Sequence, residues 1–422
     1  MPKLIPEWVE MRIEPPGATI EQLLERDAHA AEPPGECAAE LAQVAARLRA
    51  AKRSLEPPEG SDAEAARSYD QRIRRALRAS DMYADLKAAV RSAGAQAPTN
   101  AWLKMYEMID RLGLMDDAAH RGGRAIRVFC NAELPGAFVA ATAHHAATTR
   151  APPQSIDWVA CSLWPGVAAH TPAGGVLGDT YGLAAANASR WLMGPEARGD
   201  LTSADDVVDM VRRAHARLGG PVDLYTSDAG IDVGGAFDDQ ERLTARIHLG
   251  QVVAGLIVLG VGGTMLVKTF TFTEPWSVAI IAACAACFAD LRVVKPVTSR
   301  ACNSEVYIVG RGFLGISAAA AAALLDHLRG FDWARPMLQL GALNPSTVLS
   351  TVEAACHIHG SLQVAFLEEV VRLADSGGAP DVRAARGAQA AWLASHPIPP
   401  LPAHCRLPDN NSTQATRKRR RY

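Results

Sequence analysis

Between about residue 96 and residue 315, short apolar runs of β type alternate with helical segments, and no other feature restricts the chain's fold as strongly. The runs are IRVFC from 126, DWVACSL from 157, DLYTS from 223, TMLVKTF from 264, LRVVK from 291 and EVYIVG from 305. Helical stretches such as SADDVVDMVRRAHARLGG from 203 and TEPWSVAIIAACAACFAD from 273 lie between them, the second with Thr273 as its cap and Pro275 in its first turn. Parallel neighbours cannot be joined by a tight hairpin and need a crossover, usually a helix. The alternation therefore predicts a doubly wound α/β fold with a mostly parallel sheet covered on both faces. Sheets of this kind bind ligands beyond the C-terminal ends of their strands, so the residues just after each run are the ones to read for chemistry.

The flanks follow different patterns. Residues 1–95 are rich in proline and acidic residues, with EPPG from 14, EPPGE from 32 and EPPEG from 56. Such punctuation predicts short helices joined by exposed turns. One longer helix is then expected from Ser61, where Ser61 and Glu64 have capping-box spacing, to a stop at Gly94. Its Arg72, Arg74, Arg75 and Arg78 read as a solvated face rather than an RNA contact. Residues 316–405 read as a helical C-terminal extension containing SAAAAAALLDHLRG, a long helix after the start signal Asn344-Pro345-Ser346, and a closing HPIPPLPAH. Residues 406–422 hold the dense basic run Arg417, Lys418, Arg419, Arg420 and Arg421, which is expected to be disordered.

Charge and cysteine content narrow the setting. With 43 basic against 45 acidic residues the formal charge is -2, so no global field draws a polyanion and any such partner must meet a local patch. Eight cysteines are too sparse for a disulfide framework, and the N-terminus lacks a signal peptide's apolar core. A cytoplasmic or nuclear protein, neither secreted nor membrane-bound, is expected. Residues 250–267, GQVVAGLIVLGVGGTMLV, approach spanning length, but Gly260, Gly262 and Gly263 predict a helix, a glycine turn and a buried strand instead. Residues 278–289, VAIIAACAACFA, are too short to span and have the composition of a core helix.

The strand ends carry the chemistry. After the first run the chain continues Asn131-Ala132-Glu133-Leu134-Pro135-Gly136-Ala137-Phe138, a tight turn into a helix whose free amides face a ligand that Gly136 allows to come close. This turn holds neither G-x-G-x-x-G nor GK[ST], which disfavours a nicotinamide oxidoreductase and a nucleoside triphosphatase. Asp228 follows DLYTS, Lys268 closes TMLVKTF, Glu305 opens EVYIVG, and Lys104 sits in the otherwise apolar helix AWLKMYEM. A lysine ending an apolar run is costly unless it pairs or faces a cleft, and two lysines converging with two carboxylates would hold an amine poised against a hydroxyl. Cys284-x-x-Cys287 reads as a pair of buried thiols. Cys356, His357, His359, His404 and Cys405 lack a recognised ligand spacing, so no metal is expected, and His144-His145 are read as complements to a helix dipole.

This ordered set resembles the FtsJ-like RNA ribose 2'-O-methyltransferases, particularly the mRNA cap enzymes of large DNA viruses and eukaryotes. The blocks are AWLKMYEM, NAELPGAF, LGDTYG at 177–182, DLYTSDAGIDV at 223–233, GGTMLVKTF at 262–270 and KPVTSRACNSEVYIV at 295–309. They cover the 96–315 region, about half the chain. The resemblance implies a catalytic tetrad of Lys104, Asp228, Lys268 and Glu305. It also implies an S-adenosyl-L-methionine pocket on Glu133, Leu134, Pro135, Gly136, Ala137 and Phe138, with Asp179 beside the adenine and Asp228 near the methionine end. Where such folds often place an acid on the cofactor ribose, the chain has Cys161-Ser162-Leu163-Trp164, so Ser162 or a main-chain group takes that place. The implied activity is S-adenosylmethionine-dependent 2'-O-methylation of RNA beside the mRNA 5' cap. The alternatives are ribosomal RNA as substrate, or a non-catalytic RNA-binding scaffold subunit of a capping complex.

Overall fold

The six apolar runs become six strands of one seven-stranded sheet. The computed structural model describes residues 7–27, 35–79, 82–116, 118, 125–149, 154–164, 178–231, 233, 239–338, 347–377 and 382–409. Asn344-Pro345-Ser346, the basic run 417–421, Leu177 and Asp232 lie outside the described residues. The strands are β1 (Val9–Ile13), β2 (Ile126–Asn131), β3 (Ile156–Ala160), β4 (Val222–Ser227), β5 (Leu259–Thr269), β6 (Phe288–Lys295) and β7 (Val306–Phe313), in the order β1-β6-β7-β5-β4-β2-β3. Strands β3, β2, β4 and β5 are parallel neighbours, β7 lies antiparallel between β5 and β6, and β1 is antiparallel to β6. All strands but β7 and β1 thus share one direction, the mostly parallel sheet expected.

Alternation along the strands builds two cores. Phe129, Val159, Tyr225, Met265, Val267, Val293 and Ile308 point to one face, while Val128, Cys130, Trp158, Leu224, Leu266, Val294 and Tyr307 point to the other. The second face is covered by α5 (Asn100–Leu112) and α6 (Ala137–Thr148), which also pack on each other. Helix α5 starts where the Thr99 hydroxyl accepts from the Trp102 amide and ends at left-handed Gly113. Over the first face lie α8 (Ala204–Leu218), α9 (Gln240–Val258), α10 (Pro275–Cys287), α11 (Ala318–Arg329) and α12 (Thr347–Ser376). Cys284 and Cys287 are buried inside α10, as read from the sequence.

The flanks join this body. Helix α1 (Ile20–Asp27) packs on α10 and α11, and α12 packs on α2 (Gly35–Arg53), on α3 (Ala63–Ala79) and on β1. Strand β1 corrects the purely helical reading of residues 1–95. Its sequence VEMRI is short and half charged, and it becomes a strand by pairing with β6, Val9 opposite Lys295 and Ile13 opposite Leu291. Charged Glu10 and Arg12 are suited to an edge strand. The single helix expected from Ser61 to Gly94 is two, α3 and α4 (Tyr83–Ser92). Asp62, not Ser61, caps the first, accepting from the Glu64 and Ala65 amides, while the Ser61 hydroxyl donates to the Pro58 carbonyl. Arg72, Arg74, Arg75 and Arg78 are exposed, as a solvated face requires.

Three smaller expectations are also corrected. Helix α9 runs directly into β5, and Gly260, Gly262 and Gly263 lie inside that strand rather than in a turn. The register jumps from Val222 opposite Leu259 to Leu224 opposite Thr264, so the glycines form a bulge. Gly262 has φ +77°, and a Cβ on Gly263 would lie 2.8 Å from the Gly260 carbonyl. Glu274, not Thr273, occupies the cap position of α10, without a side-chain cap bond, and Pro275 follows at the first helical position, while Thr273 donates to buried Glu241. His144 and His145 do more than face a dipole: His144 Nε2 lies 2.9 Å from the Pro399 carbonyl and His145 Nε2 lies 3.6 Å from Asp110. They help seat the HPIPPLPAH segment, which Tyr106 and Asp110 bind through the Pro397 carbonyl and His396. Among the described residues no helix is long and apolar enough to cross a membrane.

Candidate active site

Strands β2 and β4 are neighbours whose chain connections leave toward opposite edges of the sheet, and a crevice opens beyond their C-terminal ends. The turn after β2 is stitched to the exit of β3. The Glu133 amide donates to the Cys161 carbonyl at 3.0 Å, the Leu134 amide to Ser162 Oγ at 2.8 Å, and Glu133 Oε1 accepts from the Val139 amide at 3.0 Å. Gly136 has φ +101°, and a Cβ there would meet Leu183 at 2.7 Å, so α7 (Leu183–Ala186) lies against the turn. Asp179 holds α7 in place by accepting from the Ala184 and Ala185 amides at 3.1 and 2.9 Å. Pro135 is half-buried, whereas Ala137 and Phe138 turn inward as the first buried residues of α6. Leu134 is buried as well, and the Phe138 ring lies 6.5 Å from that of Tyr307.

Gly136, at the cap position of α6, has no side chain to cap the helix; Glu133 does so instead by accepting from the Val139 amide, and Asp228 follows at the end of β4. Burial, reinforced by nearby Asp228, pushes the Glu133 carboxyl up to about 8 against the opposing pull of the Val139 amide. Ser162 and Asp179 use their side chains to shape the turn and α7.

Lys104, Asp228, Lys268 and Glu305 come together as two ion pairs. Lys104 Nζ, from the middle of α5, donates to both Glu305 oxygens at 2.9 and 3.0 Å, with the two side chains only 10% and 9% exposed. Lys268 Nζ donates to the Asp228 carbonyl at 2.9 Å and lies 3.4 Å from Asp228 Oδ1. The β5–β7 register sets Lys268 opposite Tyr307, and the Tyr307 hydroxyl donates to Asp228 Oδ1 at 2.9 Å. Gly230 leaves room for the amine, since a Cβ there would sit 3.1 Å from Lys268 Nζ.

Burial alone would discharge Lys104 and Glu305, and the charges around them reverse that. It pulls the Lys104 ammonium down, but Glu305 and Asp228 outweigh it and the net direction is up. Burial likewise raises Glu305, yet Lys104 and Lys268 hold its carboxyl well below the usual range. Burial with Asp228 and Glu305 raises the Tyr307 phenol, which therefore stays a neutral donor.

Four further residues complete the site and were missed in the sequence. Ser299 Oγ donates to Glu305 Oε1 at 2.8 Å, Lys295 Nζ donates to the Glu305 carbonyl at 2.8 Å, and Glu107 accepts from the Val297 and Thr298 amides at 3.0 Å. Tyr307 is the fourth. Strand alternation from Glu305 pointed to Tyr307, and one helical turn from Lys104 pointed to Glu107. Among the described residues no group of three or more His, Cys, Asp or Glu side chains is placed to hold a metal ion.

Comparison with known proteins identifies the family. Residues 97–313 match the profile of the FtsJ-like methyltransferases. A probable methyltransferase of African swine fever virus (isolate Warthog/Namibia/Wart80/1980) is 34% identical over 308 residues, which cover 71% of this chain and 69% of the viral protein. The cap-specific mRNA (nucleoside-2'-O-)-methyltransferase 2 of Mus musculus is 30% identical over 291 residues, covering 68% of this chain and 37% of that protein. With the family profile spanning half the chain and a relative matched over more than two thirds of it, this protein belongs to the FtsJ-like methyltransferase family.

Proposed function

We propose that this methyltransferase uses S-adenosyl-L-methionine to methylate the ribose 2'-hydroxyl of RNA, at the nucleotide next to the mRNA 5' cap. The supporting observation is the Lys268 amine, held on Asp228 at the end of β5 beside the β2–β4 crevice, with the Lys104–Glu305 pair alongside. The cap substrate is carried over from the murine relative, whose name states that specificity. RNA is then the partner, met through this local cluster rather than through net charge, and the cytoplasm or nucleus is the setting.

Glu133, Leu134, Pro135, Gly136, Ala137, Phe138, Ser162, Asp179 and Asp228 would hold the cofactor. Of these, Glu133 and Asp228 would lie toward its positive charges, while Ser162 and Asp179 act by keeping the turn and α7 in shape. When bound, S-adenosylmethionine supplies a methyl group already activated on a sulfonium. The protein's task is then alignment, which lowers a barrier by roughly 7 to 11 kcal/mol when the geometry is right. Lys268 steers the 2'-hydroxyl and stabilises charge developing on its oxygen. Asp228 fixes Lys268 from one side, while Lys104 and Glu305 add a balanced pair of charges behind it. The test is methyl transfer from labelled cofactor to capped and uncapped RNA of one sequence. Preferential labelling of the capped RNA is expected, and labelling of uncapped structured RNA alone would overturn the cap assignment.

A further inference from the structure

The connection between β6 and β7, residues 296–305, delivers Glu305 and is fastened at three points. At its start Glu107 of α5 accepts from the Val297 and Thr298 amides and from Thr298 Oγ1 at 3.0, 3.0 and 2.6 Å. In its middle Gln363 of α12 donates to the Cys302 carbonyl at 3.0 Å. At its end Lys295, the last residue of β6, donates to the Asn303 carbonyl, Asn303 Oδ1 and the Glu305 carbonyl at 2.9, 3.2 and 2.8 Å. All three protons of its ammonium are thereby used on the loop.

We propose that Lys295 is a positioning residue for methyl transfer, clamping Asn303 to Glu305 so that the Glu305 carboxylate meets Lys104 and Ser299 in the arrangement the tetrad needs. This rests on the methyl-transfer reading above. A buried ammonium is a costly fastener, and an apolar side chain packed there would hold a loop with less desolvation. The cost is explained if what matters is where the loop's carbonyls point. Ser299 Oγ and Lys104 both reach the Glu305 carboxylate, so a shift of the Glu305 main chain disturbs both contacts at once. Lys295 also sets a third positive charge beside Glu305, lowering that carboxyl further. Burial draws the Lys295 ammonium down to about 8, the direction of a charge kept at an energetic cost.

The test compares Lys295→Met, Lys295→Arg, Glu305→Gln and the double variant Lys295→Met/Glu305→Gln in the full chain. Lys295→Met should lower kcat by about tenfold or more, with RNA KM and calorimetric cofactor affinity within about twofold of wild type. Lys295→Arg keeps a charged donor at this position and should restore part of the rate. The double variant should be no slower than Glu305→Gln alone, because Lys295 acts through Glu305. Additive losses, or full activity in Lys295→Met, would overturn the proposal. Should Lys295→Met not fold, Lys295→Gln carries the same comparison. Amide hydrogen exchange gives a reading that does not depend on the substrate: exchange across 299–305 should rise by about tenfold while β5 and α5 keep their protection. Unchanged exchange would count against the clamp even if the RNA substrate proved to be a different one.

Discussion

The two halves of the site handle buried charge in opposite ways. At the β5–β7 side Lys104 and Glu305 form a buried pair in which each keeps its charge, and Lys268 lies 3.4 Å from Asp228. At the β2–β3 side Glu133 is equally buried but has amide partners and a neighbouring carboxylate instead of a cation, and it keeps its proton to about pH 8. One half keeps its carboxylate charged by pairing, and the other holds a carboxyl that stays protonated at neutral pH. In the function proposed above, the first would orient a nucleophile and the second would meet a cationic cofactor.

Changes to the paired half should have the larger effects. Lys268→Ala is expected to abolish methyl transfer, a loss of about a thousandfold or more, while circular dichroism and cofactor binding stay near wild type. Glu305→Ala leaves Lys104 buried without its partner and should cost about 3 to 5 kcal/mol in denaturant unfolding. The double variant Lys104→Met/Glu305→Ala should recover much of that stability, and failure to recover would show that the pairing is not what the burial depends on.

The unpaired half should respond with the opposite sign. The folded-state value for Glu133, about 8, lies above the ordinary 4.5, so between those pH values the unfolded chain has released a proton that the folded chain keeps. Stability from this group therefore falls as pH rises from 4.5 to 8. Glu133→Gln should match wild type near pH 4 and exceed it by several kcal/mol, up to about 5, at pH 8. A difference that does not depend on pH would remove the contrast between the two halves. The smallest effect is expected for Ser162→Ala, which strips the Leu134 amide of its acceptor. Cofactor affinity measured by calorimetry should fall about fivefold, the equivalent of about 1 kcal/mol, with kcat preserved.

The sheet was legible because its signals are local: six apolar runs of strand length, helical spacing between them, and Pro275 at a helix start. Strand β1 was not, since VEMRI owes its strand form to β6, and nothing within five half-charged residues encodes a partner far along the chain. The glycine bulge of β5 was misread as a turn because glycine marks either one, and only the register against β4 separates them. The tetrad stood out because charged residues interrupt apolar runs. Their supports did not: Glu107, Ser299 and Lys295 act through main-chain groups of a loop whose path the sequence leaves open. Ser162 and Asp179 were placed at the crevice, but their use as fasteners of the turn and of α7 emerges only from the three-dimensional contacts.

The most direct test of a lysine-centred 2'-O-methyl transfer is nucleoside mass spectrometry of capped RNA after reaction with wild-type protein and with Lys268→Ala. Wild type should yield a 2'-O-methylated ribose at the nucleotide adjoining the cap, and Lys268→Ala should yield none. A methyl group on a base, or an undiminished ribose product from the variant, would contradict it.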